Sequence, residues 1–206
     1  MSRAVCYQCH RAKVACLCNR IKKHQNQVAI IVLQHPDEVK NPKASAIIAE
    51  LGLAHYQCWV GEDFSQHSGF QRLIAGNTEH IALLYPTEAA IVLNEEGVVE
   101  QGEIKYLIVI DATWRKARKI WALNAQLQAL KVFRLVTGKA SSYRIRKVPE
   151  AGYLSTVESI VEGLRVLEGG AERYQGLLDL FREMIDFQIE KMGKQTWKEN
   201  YKKEKE

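Results

Sequence analysis

The chain has 206 residues, of which 47% are hydrophobic, so it can form a buried core and is too apolar for a disordered protein. Its net charge of +5 suits a nucleic-acid partner without requiring one. No stretch reaches the roughly 18 apolar residues of a membrane span, and the first ten residues, MSRAVCYQCH, lack the apolar centre of a signal peptide. We therefore expect a cytoplasmic protein with no membrane partner and no evident obligate protein partner.

The first 26 residues are rich in cysteine and show little periodicity. Cys6, Cys9, Cys16 and Cys18 follow a C-x2-C-x6-C-x-C pattern. Cysteines two or three residues apart bring their thiolates to one side of a tight turn, and two such pairs complete the tetrahedral shell of a structural zinc ion. The pattern predicts a zinc knuckle, with an iron–sulfur cluster as the alternative. Cys58 stands alone on a predicted strand and is interpreted as a small buried side chain.

From Val28 onward, apolar runs alternate with helical patterns. The predicted strands are 28–35, 55–60, 80–86, 106–111 and 131–136, and 89–93 is a weaker apolar run. The predicted helices are 41–53, 113–124, 155–168 and 172–192, whereas 61–79 is ambiguous and 137–150 is a basic loop. This alternation predicts an α/β fold with a mainly parallel sheet and flanking helices. We assign 1–26 to the knuckle, 27–193 to the main domain and 194–206 to a polar tail that is expected to fray.

The clearest strand ends in a carboxylate, in the sequence LIVIDATWRKARKIW (107–121). Ligands of open parallel sheets bind beyond the carboxyl ends of the strands, which is where Asp111 is expected. Thr113 is predicted to be the N-cap of the next helix, with its hydroxyl accepting from the backbone. A purely structural interpretation is the alternative: Asp111 and Thr113 cap the helix, Trp114 packs in the core, and the following cations form a solvated face.

A second signal for the start of a helix is Ser155-x-x-Glu158, a capping box before an apolar run. The structural interpretation is again a helix start alone. The functional interpretation adds that the exposed amides of the first turn can hold a carboxylate.

Several motifs, in this order along the chain, resemble those of the DTW-domain family. They are the cysteine knuckle, LQHPDEVKNP (33–42), LLYPTEAA (83–90), the D-x-T-W signature in DATW (111–114) and SSYRIRKVPEAGYLSTVE (141–158). The chain is thus similar to the bacterial tRNA-uridine aminocarboxypropyltransferases. The resemblance implies a SPOUT-like, knotted sheet. It also implies transfer of the 3-amino-3-carboxypropyl group of S-adenosylmethionine to N3 of a tRNA uridine, with release of methylthioadenosine.

The resemblance also gives roles to residues at the predicted sheet edge. Asp111 is the catalytic candidate, either as the base for N3 or as an anchor for the ammonium or ribose of the donor. The candidate donor-binding residues are Leu84, Pro86, Thr87, Asp111, Thr113, Trp114, Leu135, Thr137, Ser155, Thr156 and Glu158. Within this set, 84–87 and 135–137 are expected to contact adenine and ribose, and 155–156 the aminoacyl carboxylate.

Cationic side chains near the same edge are interpreted as contacts for tRNA. They are Arg115, Lys116, Arg118, Lys119, Arg144, Arg146 and Lys147. Tyr143, in the basic loop, is expected to stack on a base. Two rival functions are open: a SPOUT-class RNA methyltransferase, which would release S-adenosylhomocysteine, and a non-catalytic zinc-containing RNA-binding protein.

Overall fold

The computed structural model describes residues 4–76, 78–138, 141–146 and 153–201, and its centre is a six-stranded sheet. The strands are β1 (Ala29–Gln34), β2 (Tyr56–Val60), β3 (Ile81–Leu84), β4 (Ile91–Val92), β5 (Tyr106–Asp111) and β6 (Lys131–Arg134). Their order is β2-β1-β5-β3-β6-β4, and each neighbouring pair is parallel. The α/β fold with a mainly parallel sheet is therefore confirmed.

The helices lie on both faces of this sheet. They are α1 (Ala46–Gly52), α2 (Ser68–Ile74), α3 (Trp114–Leu123), α4 (Ala125–Gln128), α5 (Thr156–Glu168), α6 (Gln175–Met192) and α7 (Lys194–Tyr201). Successive residues of a strand point to opposite faces, so Ile30 and Val32 pack with α1, α5 and α6, whereas Ile31 and Leu33 pack with α2, α3 and α4. Among the described residues, no helix combines the length and the apolar character needed to cross a membrane.

Three elements differ from the sequence-based predictions. The helix predicted from residue 41 begins only at Ala46, because Asn41 forms a turn before it. The Asn41 side chain accepts a hydrogen bond from the amide of Lys43, and the Asn41 carbonyl accepts one from the amide of Ala44. The ambiguous segment 61–79 contains α2, whose first turn is capped by the imidazole of His67. The tail predicted to fray forms α7 over 194–201.

The N-terminal segment packs against the main domain. Leu17 is 2% exposed and belongs to the same core cluster as α1, α5 and α6. His24 forms a parallel bridge with Leu53. Arg11 is buried and donates to the carbonyl of Ala44 at 3.0 Å. The cysteine-rich segment is thus attached to the loop before α1, close to the carboxyl end of β1.

The parallel arrangement brings the carboxyl ends of the strands to one edge of the sheet. In the register between β1 and β5, Gln34 lies opposite Asp111. On the other side of β5, Leu84 of β3 lies opposite Val109, and the next residue, Tyr85, donates its amide to Phe133 of β6. Residues that follow β1, β3, β5 and β6 therefore meet at this edge, as expected for ligand sites in open parallel sheets.

Candidate active site

Asp111 is the buried acid at the centre of this edge. Asp111 is 5% exposed, and each of its carboxylate oxygens accepts a hydrogen bond from another side chain. The amide Nε2 of Gln34 donates to Oδ2 at 2.8 Å, and the hydroxyl of Thr156 donates to Oδ1 at 2.6 Å. The thiol of Cys58 donates to Oε1 of Gln34 at 3.7 Å, which fixes the orientation of that amide. The carboxylate is therefore held by β1 on one side and by α5 on the other.

The environment of Asp111 makes it more basic than an exposed aspartate. Burial raises the pKa of Asp111, because the charged form loses its hydration, and the hydrogen bonds from Gln34 and Thr156 partly oppose this by favouring the charged form. The charge of Glu38 also raises the pKa of Asp111, whereas that of Arg146 lowers it. A carboxylate with a raised pKa is a better proton acceptor near neutral pH.

A cavity of about 190 Å³ opens beside Asp111. Its wall contains Thr113 and Thr156 of the predicted donor-binding set, together with Glu38, Lys43 and Arg146. Charges of both signs therefore line one small space. Such a space suits a ligand that carries an ammonium and a carboxylate close together.

A second cavity, of about 80 Å³, lies between the ends of β3 and β6. It is lined by Leu84, Pro86, Trp114 and Leu135 of the predicted donor-binding set, and by Tyr153. Trp114 packs edge-on against Tyr153 with ring centroids 4.3 Å apart. The indole Nε1 of Trp114 is buried and has no hydrogen-bond partner in the described part of the chain. Apolar walls with an unused donor suit a planar nucleobase and its sugar.

The half-buried position of Trp114 departs from the core role that the structural interpretation gives it. In α3 the buried side chains are Ala117 and Ile120, whereas Trp121 is half-buried and stacks on Tyr85. Thr87 and Thr137, also predicted to bind the donor, are half-buried and line neither of the two cavities.

Most polar groups at the start of α5, where a carboxylate site was predicted, have partners within the fold. Ser155 and Glu158 form the predicted capping box, so both side chains are used within the fold. Glu158 also accepts from the hydroxyl of Ser141 and the amide of Ser142, and the amide of Val157 donates to Ser45. Amides with partners inside the protein are not free to hold a ligand. Thr113 is the N-cap of α3 as predicted, but its side chain makes no capping hydrogen bond.

The predicted tRNA contacts occupy different environments. Arg115, Arg118, Lys119 and Arg144 are exposed, and Lys116 is partly exposed. Lys116 pairs with Asp37 at 2.5 Å, Lys119 with Glu62 at 2.6 Å, and Arg144 with Asp186. Surface ion pairs contribute about 0–1 kcal/mol, so phosphates can replace these carboxylates at little cost. Lys147 lies outside the described residues.

The stacking role predicted for Tyr143 is wrong. The side chain is 9% exposed, and its ring packs edge-on against Phe181 at 5.4 Å. The hydroxyl donates to the carbonyl of Lys43 at 2.7 Å. Because the residue is almost fully buried and the guanidinium of Arg146 lies over its ring at 5.7 Å, the ring is not exposed for stacking on a base.

Three residues of the site were missed by the sequence analysis: Gln34, Glu38 and Lys43. All of them lie in or directly beside the motif 33–42, which the resemblance identified without giving a role to any residue in it. The signal was available, because this motif follows β1 and carboxyl ends of parallel strands meet at one edge. These roles depend on the position of β1 next to β5 in the sheet, and that strand order is not encoded in any local pattern.

The four N-terminal cysteines converge as predicted. Their sulfur atoms lie within 4.8 Å of one another, and the Cys6–Cys18 and Cys9–Cys16 pairs are each separated by 3.8 Å. Four thiolates at about 2.3 Å from one tetrahedral zinc ion must be about 3.8 Å apart, so the donor set and its spacing fit zinc.

A further cavity of about 210 Å³ lies between the knuckle and the ends of β1 and β2. Cys9, Gln34 and Cys58 contribute to its wall, and Glu38 is shared with the cavity beside Asp111. Cys58 is half-buried against the core and hydrogen-bonded to Gln34, so it is less buried than predicted. Burial nevertheless raises the pKa of the Cys58 thiol to about 12, which keeps it protonated and able to donate.

The sequence is similar to those of known proteins over most of its length. The sequence model of a family described as DTW domain matches residues 3–189. A Drosophila melanogaster protein named tRNA-uridine aminocarboxypropyltransferase 2 is 32% identical over 196 residues, which cover 91% of this chain and 76% of that protein. Proteins of the same name from Macaca fascicularis and Mus musculus are 27% identical over 192 residues, covering 91% of this chain and 64% of each of them. No solved structure matches the chain significantly.

These relatives come from animals, whereas the resemblance based on the motifs was to the bacterial members of the family.

Proposed function

The chain belongs to the DTW domain family, and from this premise we propose that it is a tRNA-uridine aminocarboxypropyltransferase. The donor is S-adenosylmethionine, and the acceptor is N3 of a uridine in tRNA. The observation that carries the proposal is the buried Asp111 of the D-x-T-W signature, which lines the charged cavity at the carboxyl edge of the sheet, while Trp114 of the same signature lines the apolar cavity. The names of the animal relatives support the same reaction.

In this reaction, N3 of the uridine attacks the γ-carbon of the donor's methionine part. The bond between that carbon and the sulfonium sulfur breaks, and its electron pair stays on sulfur. Methylthioadenosine leaves, and the N3 proton passes to a base. We assign this base to Asp111, whose ionised carboxylate combines a raised pKa with a fixed orientation. Anchoring the donor's ammonium is the alternative role.

The two cavities divide the donor between them in this proposal. The apolar cavity at Trp114 takes the adenine and ribose, and the charged cavity beside Asp111 takes the aminocarboxypropyl group. Because positioning selects which of the three carbons on sulfur reacts, this division presents the γ-carbon near the acid. The outer cations at the same edge, such as Arg115 and Arg118, contact tRNA phosphates.

The proposal includes a SPOUT-like class for the fold, with a knotted donor-binding region, and a structural zinc ion at the cysteine cluster. The parallel strand order and the gathering of the ends of β3, β5 and β6 at one edge support the first of these. The spacing of the sulfur atoms supports the second. Because tRNA is the proposed partner, the proposal places the protein in the cytoplasm.

Incubation with unmodified tRNA and S-adenosylmethionine, followed by mass analysis of the nucleosides, tests this function. We expect 3-(3-amino-3-carboxypropyl)uridine together with methylthioadenosine. A methylated nucleoside with S-adenosylhomocysteine would instead identify a methyltransferase. Binding of tRNA with no consumption of the donor would identify a non-catalytic RNA-binding protein.

Arg144→Ala is expected to weaken tRNA binding severalfold at low salt and to leave donor binding unchanged. Arg144 is exposed, and among the described residues its guanidinium pairs with Asp186 at the surface, a partner that a phosphate can replace. Losing one phosphate contact should make the slope of log affinity against log salt concentration shallower by about 0.7–0.9. The measurement is tRNA affinity over a salt series.

The matched control is Arg182→Ala on α6. Arg182 is also exposed and also paired with a carboxylate, that of Asp179, but it lines neither cavity of the site. Equal loss of affinity in the two variants would mean that Arg144 contributes only through general charge.

A further inference from the structure

Among the described cations predicted to contact tRNA, Arg146 is the one that lies inside the site. It is half-buried and lines the cavity beside Asp111. We propose that its guanidinium binds the α-carboxylate of the donor's aminocarboxypropyl group. The proposal rests on the function proposed above and names the residue that recognises the amino-acid end of the donor.

The guanidinium is fixed in position before any ligand binds. One of its nitrogens donates to the carbonyl of Ala112 at 2.9 Å. Its central carbon lies 5.9 Å from the ring centroid of Trp114 and 5.7 Å from that of Tyr143. Contacts with aromatic rings orient an arginine without using its N–H donors. Since a guanidinium has five such donors, most of them remain available for a ligand.

No carboxylate close to Arg146 matches its charge in the part of the chain that the structure describes. Within the described ranges, no carboxylate oxygen lies within 4.0 Å of its nitrogens, whereas Arg144, two residues earlier, pairs with Asp186. A partly desolvated cation is costly unless it is paired. A planar carboxylate bound through two N–H groups supplies that pairing in the geometry that arginine prefers.

The neighbouring groups suit the other half of the ligand. Glu38 and Asp111 line the same cavity and supply negative charge for an ammonium. Trp114 lines the apolar cavity and Arg146 the charged one, and the guanidinium of Arg146 lies 5.9 Å from the centroid of the Trp114 ring. A donor whose adenine lies against Trp114 therefore brings its amino-acid end towards Arg146.

Other candidates for the carboxylate are less suitable. The first-turn amides of Ser155, Val157 and Glu158 already donate within the protein. Lys43 also lines the cavity, but its ammonium lies over the ring of Tyr201 at 6.0 Å from the centroid. Arg146 is thus the cation whose free donors and fixed orientation both favour a carboxylate ligand.

Binding of three nucleosides, measured by calorimetry without tRNA, tests the proposal. They are S-adenosylmethionine, its decarboxylated form, which lacks only the carboxylate, and methylthioadenosine, which lacks the whole group. The unaltered protein should prefer S-adenosylmethionine to the decarboxylated form by roughly 10- to 100-fold, the scale of a charge-assisted hydrogen-bonded pair. In Arg146→Gln this preference should fall to about twofold or less, with the affinity for methylthioadenosine nearly unchanged.

Arg144→Gln is the matched control from the same loop and should keep the full preference. Arg146→Lys, which retains the positive charge, should keep part of it and also guards against a folding defect in the glutamine variant. A preference that survives in Arg146→Gln, or an equal loss of affinity for all three nucleosides, would overturn the proposal. If the unaltered protein binds none of the three, the proposed function itself fails, and the Arg146 proposal fails with it.

Discussion

Asp111→Asn is expected to lower the rate of aminocarboxypropyl transfer by roughly 10²-fold or more, the scale expected for a positioned proton acceptor. Asparagine has the size of aspartate but neither its charge nor its basicity. Its carbonyl oxygen can still accept from the hydroxyl of Thr156, and the amide of Gln34 can turn to accept from its NH2 group, which exchanges the bond from the Cys58 thiol for a weaker one to the sulfur. The hydrogen bonds that hold residue 111 are therefore largely retained, and the loss should lie in the chemistry.

The same substitution should leave the free energy of unfolding unchanged or increase it. Burial raises the pKa of Asp111, so the folded protein binds this proton more tightly than the unfolded chain does. Ionised Asp111 consequently destabilises the fold. The fold therefore becomes more stable as the pH falls through the raised pKa of Asp111 towards the ordinary value of 3.8, because the folded protein takes up the proton before the unfolded chain does. Asparagine removes this cost at neutral pH.

Single-turnover rates over a pH series, melting temperatures and donor affinity together decide the role of Asp111. For a base, the rate of the unaltered protein rises with pH through the raised pKa and then levels off, and the asparagine variant lacks this step. Loss of donor affinity in the variant would instead favour the ammonium anchor. A folded variant with near-normal transfer would reduce Asp111 to a structural residue at a helix start.

Cys9→Ser is expected to abolish metal binding and to lower the melting temperature by about 5–15 °C, corresponding to about 2–4 kcal/mol for a chain of this size. Cys9 is 3% exposed, and its sulfur lies 3.8 Å from that of Cys16. Serine leaves three thiolates, too few to close a structural zinc shell. The effect should extend beyond the knuckle, because Leu17 and Arg11 connect it to the main domain.

Elemental analysis and thermal melts of the purified protein test this prediction. We expect about one zinc per unaltered chain and close to none in Cys9→Ser. Cys58→Ser is the control, since Cys58 is outside the cysteine cluster and should leave the metal content unchanged. Iron with visible absorption would establish an iron–sulfur cluster instead. An unaltered protein that binds no metal would contradict both the zinc site and the iron–sulfur alternative.

Local patterns predicted much of the fold and part of the site. A continuous apolar run identified β5, and its final acid placed Asp111 at the carboxyl edge, because both features depend on a few adjacent residues. The capping box that starts at Ser155 was predicted for the same reason, because it spans only four residues of the sequence. The basic loop was not predictable in this way: Tyr143 is in the core, Arg144 is outside and Arg146 enters the cavity. That order follows no secondary-structure period and depends on the elements packed around it.

The hydrogen bond between α7 and the arginine loop has a practical consequence for how far the chain can be shortened. The indole of Trp197 donates to the carbonyl of Arg144 at 2.8 Å, and Glu158 binds Ser141 and Ser142 at the start of the same loop. Residues 194–206 were predicted to be a polar tail that frays, yet α7 is hydrogen-bonded to the segment that contains Arg146, the proposed carboxylate-binding residue. Trimming the protein before Trp197 is therefore expected to alter the candidate site, because it removes this hydrogen bond and also the Tyr201 ring that lies under the ammonium of Lys43.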